Sequence, residues 1–402
     1  AERLDTLRIA DVLTRGAARA EIELADQPLV QAQVQHVIGR TIIDLSHYEE
    51  AERLLRRAAA TRRAHGAPLE DLAASDYELA RVLRARGDFE EALPLARRAV
   101  AARTRLYGRT DARTVEALRV LGYTLRVVGQ VDESASIARE VLSRQQTTGD
   151  AAALGAAQDE WARVLLSFNR FEEAIPAASE ALTTLREAYG PRHPRLEGTL
   201  TLLGMLLMTT ERYAEAEPVL REAVAISAEA RPGSASHGGA LTDLGVVLRR
   251  QGRLAEAEAA LHEALGARYP RAFDRARPLG ALASVRLDRG DLAGAEAFQQ
   301  EALALLRTAW PANHFTVISS AVKLAGILRR QGRFADAERL LLDLRGEVDG
   351  DHTSDGTEAA RRTLDAELAA LYAAWGQPEE AARYRSTASA GPADGASHAG
   401  IR

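Results

Sequence analysis

Residues 251–265 read QGRLAEAEAALHEAL, and residues 331–344, eighty positions later, read QGRFADAERLLLDL. Both place a Gly, a basic residue, an apolar residue and an Ala at fixed offsets. Aligning the chain on the central small residue finds the pattern nine times, at Ala51, Ala92, Ser134, Ala174, Ala216, Ala257, Ala295, Ala337 and Ala381. The intervals are 41, 42, 40, 42, 41, 38, 42 and 44 residues. So regular a period marks a repeat array, in which each unit buries its apolar face against the next.

Further offsets fill in the unit. Twelve residues before each anchor stand Gly39, Ala80, Gly122, Ala162, Gly204, Gly245, Ala283, Ala325 and Ala369, each preceded by a large apolar residue. Seven residues after the anchors come Ala58, Ala99, Val141, Ala181, Ala223, Ala264, Ala302, Leu344 and Ala388. Small residues at matched places on two successive segments let helices cross closely, with the large neighbours filling the space around the crossing. Between the segments lies a turn, as at Gly87-Asp88, Gly129-Gln130, Asn169-Arg170, Gly252-Arg253, Gly290-Asp291, Gly332-Arg333 and Gly376-Gln377. Gly and Asn tolerate the left-handed conformation that ends a helix. Pro94, Pro176 and Pro218 stand two residues past their anchors, placed by this reading in or just past the first turn of a second helix, where a missing N–H costs least. The opening stretch is thus a helix–turn–helix hinge.

Composition agrees with a helical array. The 402 residues exceed what a single core usually serves, and they are 46% hydrophobic but only 5% aromatic. No cysteine is present, which excludes disulfides, thiolate catalysis and Cys-ligated metal centres. A net charge of -5 gives no ground for nucleic acid or an anionic membrane as partner. Aromatics are few and no stacking platform is evident in the sequence, which also speaks against nucleic acid. No run of about 18 apolar residues offers a membrane span.

These offsets resemble the tetratricopeptide repeat, whose small–turn–small–small pattern stands here as Gly245, Gly252, Ala257 and Ala264. The usual period is about 34 residues; the extra residues here fall between units, as in LYGRTDART (106–114) and AYGPRHPRLEGTLTLLG (188–204). Tyr-Gly-x-x-His-Pro before a first helix and AEPVL (216–220) in a second resemble the kinesin-light-chain subtype. The resemblance covers roughly 28–385. It implies an all-α, right-handed superhelical solenoid of about nine helix–turn–helix repeats. An amphipathic capping helix is expected within 1–27 and a disordered tail over 386–402, which is small, polar and Gly/Pro-rich. The run 7–39 resembles the start of the repeat region in bacterial serine/threonine protein kinases, although no Gly-rich ATP loop, His-Arg-Asp or Asp-Phe-Gly is present. The chain opens on Ala rather than Met, and a piece of a longer protein is expected. Compartment stays open between cytoplasmic and, behind a membrane anchor, extracytoplasmic.

Nothing in the sequence assembles an active site. Nine histidines form no His-x-x-x-His or His-Glu-x-x-His pair, and no Gly-x-Ser-x-Gly elbow occurs. His193 and His314 fall in inter-repeat loops, where a structural role is expected. No cofactor or metal is anticipated.

In this repeat class the first helix of each pair lines the inner surface. That implies inward positions one and four residues past the small Gly or Ala: Arg40, Arg81, Arg84, Tyr123, Arg126, Arg163, Met205, Met208, Val246, Arg249 and Arg329, with Arg119, Arg250 and Arg330 beside them. Acidic residues on this strip read as fewer, Asp44, Asp159 and Asp288 being the clear ones. Arginine's planar fork suits carboxylate and phosphate, so the expected ligand is an acidic or phosphorylated peptide. Met205 and Met208 add an adaptable apolar step. The Asn clamp of the kinesin-light-chain subtype is absent, since its places read His36-Val37, Tyr77-Glu78, Arg119-Val120, Asp159-Glu160, Thr201-Leu202 and Thr242-Asp243. The expected function is a non-catalytic protein-interaction scaffold, the regulatory region of a bacterial signalling kinase; the alternative parent is a transcriptional regulator or an ATPase-linked receptor. Repeat seven departs most, with Arg286 for an expected Leu, Gln299 in the second helix and the short interval of 38, which marks it as a possible weak point in the array.

Overall fold

The computed structural model describes residues 2–45, 47–350 and 356–389. Nineteen α-helices account for nearly all of them. A leading helix, α1 (Glu2–Glu23), is followed by nine hairpins. The first four are α2 (Pro28–Asp44) with α3 (Tyr48–Ala64), α4 (Leu69–Arg86) with α5 (Phe89–Tyr107), α6 (Ala112–Val127) with α7 (Val131–Gln145), and α8 (Ala151–Ser167) with α9 (Phe171–Tyr189). The other five are α10 (Glu197–Thr209) with α11 (Tyr213–Ala230), α12 (Ala235–Arg250) with α13 (Leu254–Leu265), α14 (Ala276–Asp288) with α15 (Leu292–Arg307), α16 (Phe315–Arg330) with α17 (Phe334–Gly350), and α18 (Gly356–Trp375) with α19 (Pro378–Ser389). The chain divides into two compact units, Ala1–Tyr189 and Gly190–Arg402. The expected tail begins inside α19 at 386–389 and from 390 lies outside the described residues.

The repeat offsets have a direct packing cause. All eight alanine anchors have no exposed surface. Ser134, at the ninth, is equally buried, and its hydroxyl donates to the Gly122 carbonyl at 2.8 Å, which lets a polar residue take the place. The paired position is as tight. A Cβ on Gly204 would lie 2.5 Å from Leu220 Cδ2, and one on Gly245 would lie 2.6 Å from Leu261 Cγ.

Each turn closes in the same way. The N–H of the residue just before the second helix bonds back to a carbonyl five residues earlier, as in Asp88 to Leu83 (2.9 Å) and Arg253 to Leu248 (2.9 Å), a Schellman closure. The residue ahead of that donor has positive φ: Gly at six turns, Asn169 (φ 56°) at one, and Glu211 (φ 58°) in repeat five. The shared QGR of the opening stretches is a staple. Gln251 donates to the Tyr213 carbonyl of the preceding hairpin (3.2 Å), and Arg253 pairs with Glu217 there. Gln331 and Arg333 do the same to the Leu292 carbonyl (3.1 Å) and Glu296 (2.8 Å).

One expectation is corrected. Pro94, Pro176 and Pro218 lie inside α5, α9 and α11, each the sixth residue of its helix: just past the first turn, as the sequence places them, but beyond the four N–H groups that lack a helical partner, so the missing N–H is not free of cost. Each deletes a helix hydrogen bond, to the carbonyl of Glu90, Glu172 or Ala214. All three of those residues are exposed, so water can satisfy the freed carbonyls.

Repeat seven is matched where its sequence looks odd. Arg286 pairs with Glu258 and Asp291, and buried Gln299 donates to the Ser320 carbonyl (3.0 Å) and hydroxyl (2.7 Å). The boundary between compact units falls after Tyr189, not there.

Candidate partner-binding face

Successive first helices touch within each unit: α2 with α4, α4 with α6, α6 with α8, then α10 with α12, α12 with α14, and α16 with α18. Among the described residues no successive second helices come as close. The first helices therefore form the crowded, inner side of each stack, which is where curvature of a repeat array presents a binding face.

In the N-terminal unit this face carries the predicted residues as a continuous ridge. The guanidinium carbons of Arg84 on α4 and Arg126 on α6 both sit 5.0 Å from the centroid of the Tyr123 ring. Arg126 pairs with Glu160 on α8 (3.1 Å), and Arg163 pairs with Asp159 one turn before it (2.8 Å). Burial works against the Arg163 charge, but Asp159 and Glu160 outweigh it and hold its pKa above the ordinary arginine value. Arg81 pairs with Glu78 (2.7 Å) and lies 5.9 Å from the Tyr77 ring centroid. Exposed Arg40 adds its charge to the same carboxyl. Burial pushes the Glu78 and Glu160 pKa values up, against the pull of those arginines. Arg119 is exposed beside Glu160, with which it lines a small apolar recess.

The sequence reading of few acidic residues is corrected here: Glu78 and Glu160 belong to the strip and neutralise much of it. Arg84 differs. Among the described residues it makes no ion pair, and its buried Nε has no hydrogen-bond partner. Its attachment is the Tyr123 face, a cation–π contact of about 1 kcal/mol.

The C-terminal unit holds the remaining candidates. Met205 is exposed and Met208 half-buried on α10, consistent with one open apolar step. Arg249 on α12 is tied to Asp288 on α14 (2.7 Å). Arg329 on α16 acts on Glu367 of α18, whose pKa burial raises against that charge.

The loop histidines cap helices: Nδ1 of His193 accepts from the Arg195 N–H (3.2 Å), and Nδ1 of His314 accepts from the Thr316 N–H (3.3 Å). A Ser–His–Glu set escaped the sequence reading because its members come from three elements. His237 Nδ1 is 2.9 Å from Ser227 Oγ, and Nε2 is 3.5 Å from Glu263. Ser227 has no exposed surface, and its hydroxyl lies within 2.8 Å of the Ala223 carbonyl in its own helix, so the set is a buried packing contact between three helices that no substrate reaches. Among the described residues no His, Asp and Glu cluster could hold a metal ion, and no helix is long and apolar enough to cross a membrane.

Comparison with known proteins agrees with this architecture. A tetratricopeptide-repeat pattern matches residues 71–147. Protein KINESIN LIGHT CHAIN-RELATED 2 of Arabidopsis thaliana is 24% identical over 185 residues, 44% of this chain; the match spans only 27% of that protein's length. The crystal structure of the apo form of RapI superposes with a TM-score of 0.52 at 13% identity, over 69% of this chain and 98% of that one, a likeness of fold alone. BtubC (BKLC) from P. vanneervenii gives 0.49 at 22% identity, over 55% and 91%. The pattern described as MalT-like TPR region matches residues 161–363, just over half of the sequence. The chain belongs to the MalT-like TPR region family.

Proposed function

We propose that this chain is the partner-binding region of a larger signalling protein and that it captures an acidic or phosphorylated protein segment on the inner face of its N-terminal unit. The coarser role, a protein-interaction scaffold, goes with the repeat family. The finer one rests on a single cluster: two guanidiniums on one tyrosine ring, of which Arg84 has no carboxylate. An incoming carboxylate or phosphate would supply the missing counter-charge to Arg84. Arg81 and Arg163 already hold acids, so they frame the site rather than drive it. The chain supplies no chemistry of its own in this proposal. As parent we propose first a bacterial serine/threonine protein kinase, on the strength of the 7–39 run, and second a transcriptional regulator or an ATPase-linked receptor. Sequence encoded upstream of Ala1 tests the parent directly; a domain without kinase motifs there overturns the first choice.

The ligand class is tested by calorimetry on the intact chain and on Arg84→Ala/Arg126→Ala. Three peptides of one length serve as probes: Glu-rich, phosphoserine-bearing and Lys-rich. Expected are binding of one or both anionic peptides, none of the Lys peptide, at least roughly tenfold weakening in the double variant, and steep loss of affinity with salt. Equal affinity of parent and variant for the anionic peptides would sink the proposal.

A further inference from the structure

Exposed aromatic surface gathers at one place in the C-terminal unit. Phe273 lies in the short 3-10 turn before α14; Trp310 and His314 lie between α15 and α16, and Phe315 opens α16. Their rings form a ladder. Phe273 meets Trp310 edge-on at 5.9 Å, Trp310 stacks on His314 at 4.2 Å with 15° between the planes, and His314 adjoins Phe315 at 5.2 Å. The Arg271 guanidinium carbon stands 4.5 Å from the Phe273 centroid and closes one end. A stacking platform is therefore present, although the sequence shows none.

Part of the ladder has a structural explanation. His314 caps α16, and the Phe273–Trp310 contact ties two successive inter-repeat loops together. The rest has none. Phe315 is 58% exposed and Trp310 39%. Phe315 is the first residue of its helix, a position held by Pro28, Leu69, Ala112, Ala151, Glu197, Ala235, Ala276 and Gly356 in the other first helices. The start of a first helix does not call for an aromatic residue, and exposed Trp, Phe and Arg together are the side chains that dominate protein interfaces.

The charge around the rings selects among occupants. The segments 266–277 and 307–316 contain five arginines and one acid, Asp274. Neighbouring elements answer three of the arginines: Asp243 pairs with Arg277, Glu301 with Arg275 (3.9 Å) and Glu347 with Arg307. Arg271 pairs with Asp274 (3.2 Å), while exposed Arg268 bonds the Pro232 carbonyl (3.2 Å) and has no acid partner among the described residues. That leaves a surplus of about one positive charge, too little for a polyanionic backbone that releases counterions at every phosphate. It suits one carboxylate beside an apolar group.

We propose that the Phe273–Trp310–His314–Phe315 ladder with Arg271 is a second interaction surface, which takes a protein segment presenting a proline or aromatic side chain next to a carboxylate. The flat side chain would lie against Trp310 and Phe315, and the carboxylate would share the Arg271 guanidinium with Asp274. This surface lies on loops rather than on the inner side of the first helices, and it does not depend on the Arg84 cluster.

The test uses the intact chain and a fluorescein-labelled ten-residue peptide with a Trp-Pro core flanked by Glu, read by fluorescence polarisation. A Lys-flanked version and a twelve-nucleotide oligo-dT are the comparison probes. Variants are Phe315→Ala, Trp310→Ala and Arg271→Glu, with Arg84→Ala/Arg126→Ala as the inner-face control and thermal melting as the check on folding. Phe315→Ala, at an exposed position, is expected to melt like the parent and to weaken the Glu peptide at least tenfold; Arg271→Glu should invert the preference between Glu and Lys flanks. The inner-face control should leave the ladder's share of binding unchanged. The proposal is overturned if the Glu peptide fails to bind, if it binds Phe315→Ala as well as the parent, if only the inner-face control abolishes binding, or if oligo-dT alone binds the ladder.

Discussion

At the scale of single residues, the anchors and their partners at minus twelve were legible because packing leaves them so little choice. Two other positions were not, and each carries a prediction. Glu211 occupies the left-handed turn position that six other turns give to Gly. That conformation costs a non-Gly residue about 1–2 kcal/mol, whereas Gly costs about 0.5–1 kcal/mol more entropy on folding, so Glu211→Gly should stabilise by about 0.5–1 kcal/mol. Chemical denaturation should show a higher midpoint at unchanged slope; a lower midpoint would mean that the Glu211 side chain contributes more than its backbone costs. His36 is buried beside Arg62 and Arg40, and burial first, then those charges, press its pKa down from 6.5 to about 4. The fold thus holds the neutral imidazole, while the unfolded chain takes up a proton below pH 6.5. The sign follows: this contribution is complete above 6.5 and is lost as pH falls from 6.5 to 4, by up to about 3 kcal/mol. His36→Gln should flatten stability against pH across that window relative to the parent, as measured by denaturation at pH 7 and pH 5. Parallel curves for the two proteins would refute the assignment. No spacing rule could have announced this, because His36 becomes a buried base only when folding removes it from water and brings the Arg62 charge near.

At the scale of elements, the minus-twelve residue and the residue four past the anchor behave as one unit. Gly39 faces Leu55, Gly204 faces Leu220 and Gly245 faces Leu261. In repeats two and four the matching pairs in sequence are Ala80 with Ala96 and Ala162 with Ala178, so lost volume on one helix accompanies gained volume on the other. The exchange holds in five of the nine repeats: Gly122 meets Ile137 rather than Ala138, while Ala283 with Gln299, Ala325 with Leu341 and Ala369 with Arg385 depart from it, and nothing in the structure explains those three. Gly245→Ala would put its Cβ 2.6 Å from Leu261 Cγ and 3.3 Å from the Ala257 carbonyl oxygen, an overpacking worth about 1–3 kcal/mol. Leu261→Ala alone should cost about 2–5 kcal/mol through its cavity. The double variant, which recreates the Ala–Ala pair, should lose clearly less than the sum of the two singles. Thermal melts of the four proteins settle it, and strict additivity would show that the two positions do not meet. The sequence exposed the small residue at each place but not the exchange between them. The charges on the inner face were misread for a related reason. Glu78 sits one turn before Arg81 on the same helix, outside the positions that were counted, whereas Glu160 meets Arg126 only once α6 and α8 pack together.

At the scale of the whole molecule, the nine spaced repeats mark no boundary other than the irregular seventh, yet the chain forms two compact units that meet in sequence after Tyr189. A periodic pattern reports what each repeat shares with the next, and is blind to where contacts thin out. Stability in such arrays is a sum of repeat terms and nearest-neighbour interfaces, so cutting between the two units should leave two fragments that each keep most of their own terms. Fragments 1–189 and 190–402 should therefore each be helical by circular dichroism and unfold cooperatively. The fragments should also divide the binding. The Arg84–Tyr123–Arg126 cluster lies wholly in the first, so 1–189 alone should retain the anionic-peptide affinity of the full chain within a few-fold, and Arg84→Ala/Arg126→Ala should remove it there too. If 1–189 folds but does not bind, the inner face of the N-terminal unit is insufficient and the proposed site must extend beyond it. If neither fragment folds, the two units do not hold their stability separately, and the sum of local terms is the wrong account of this array.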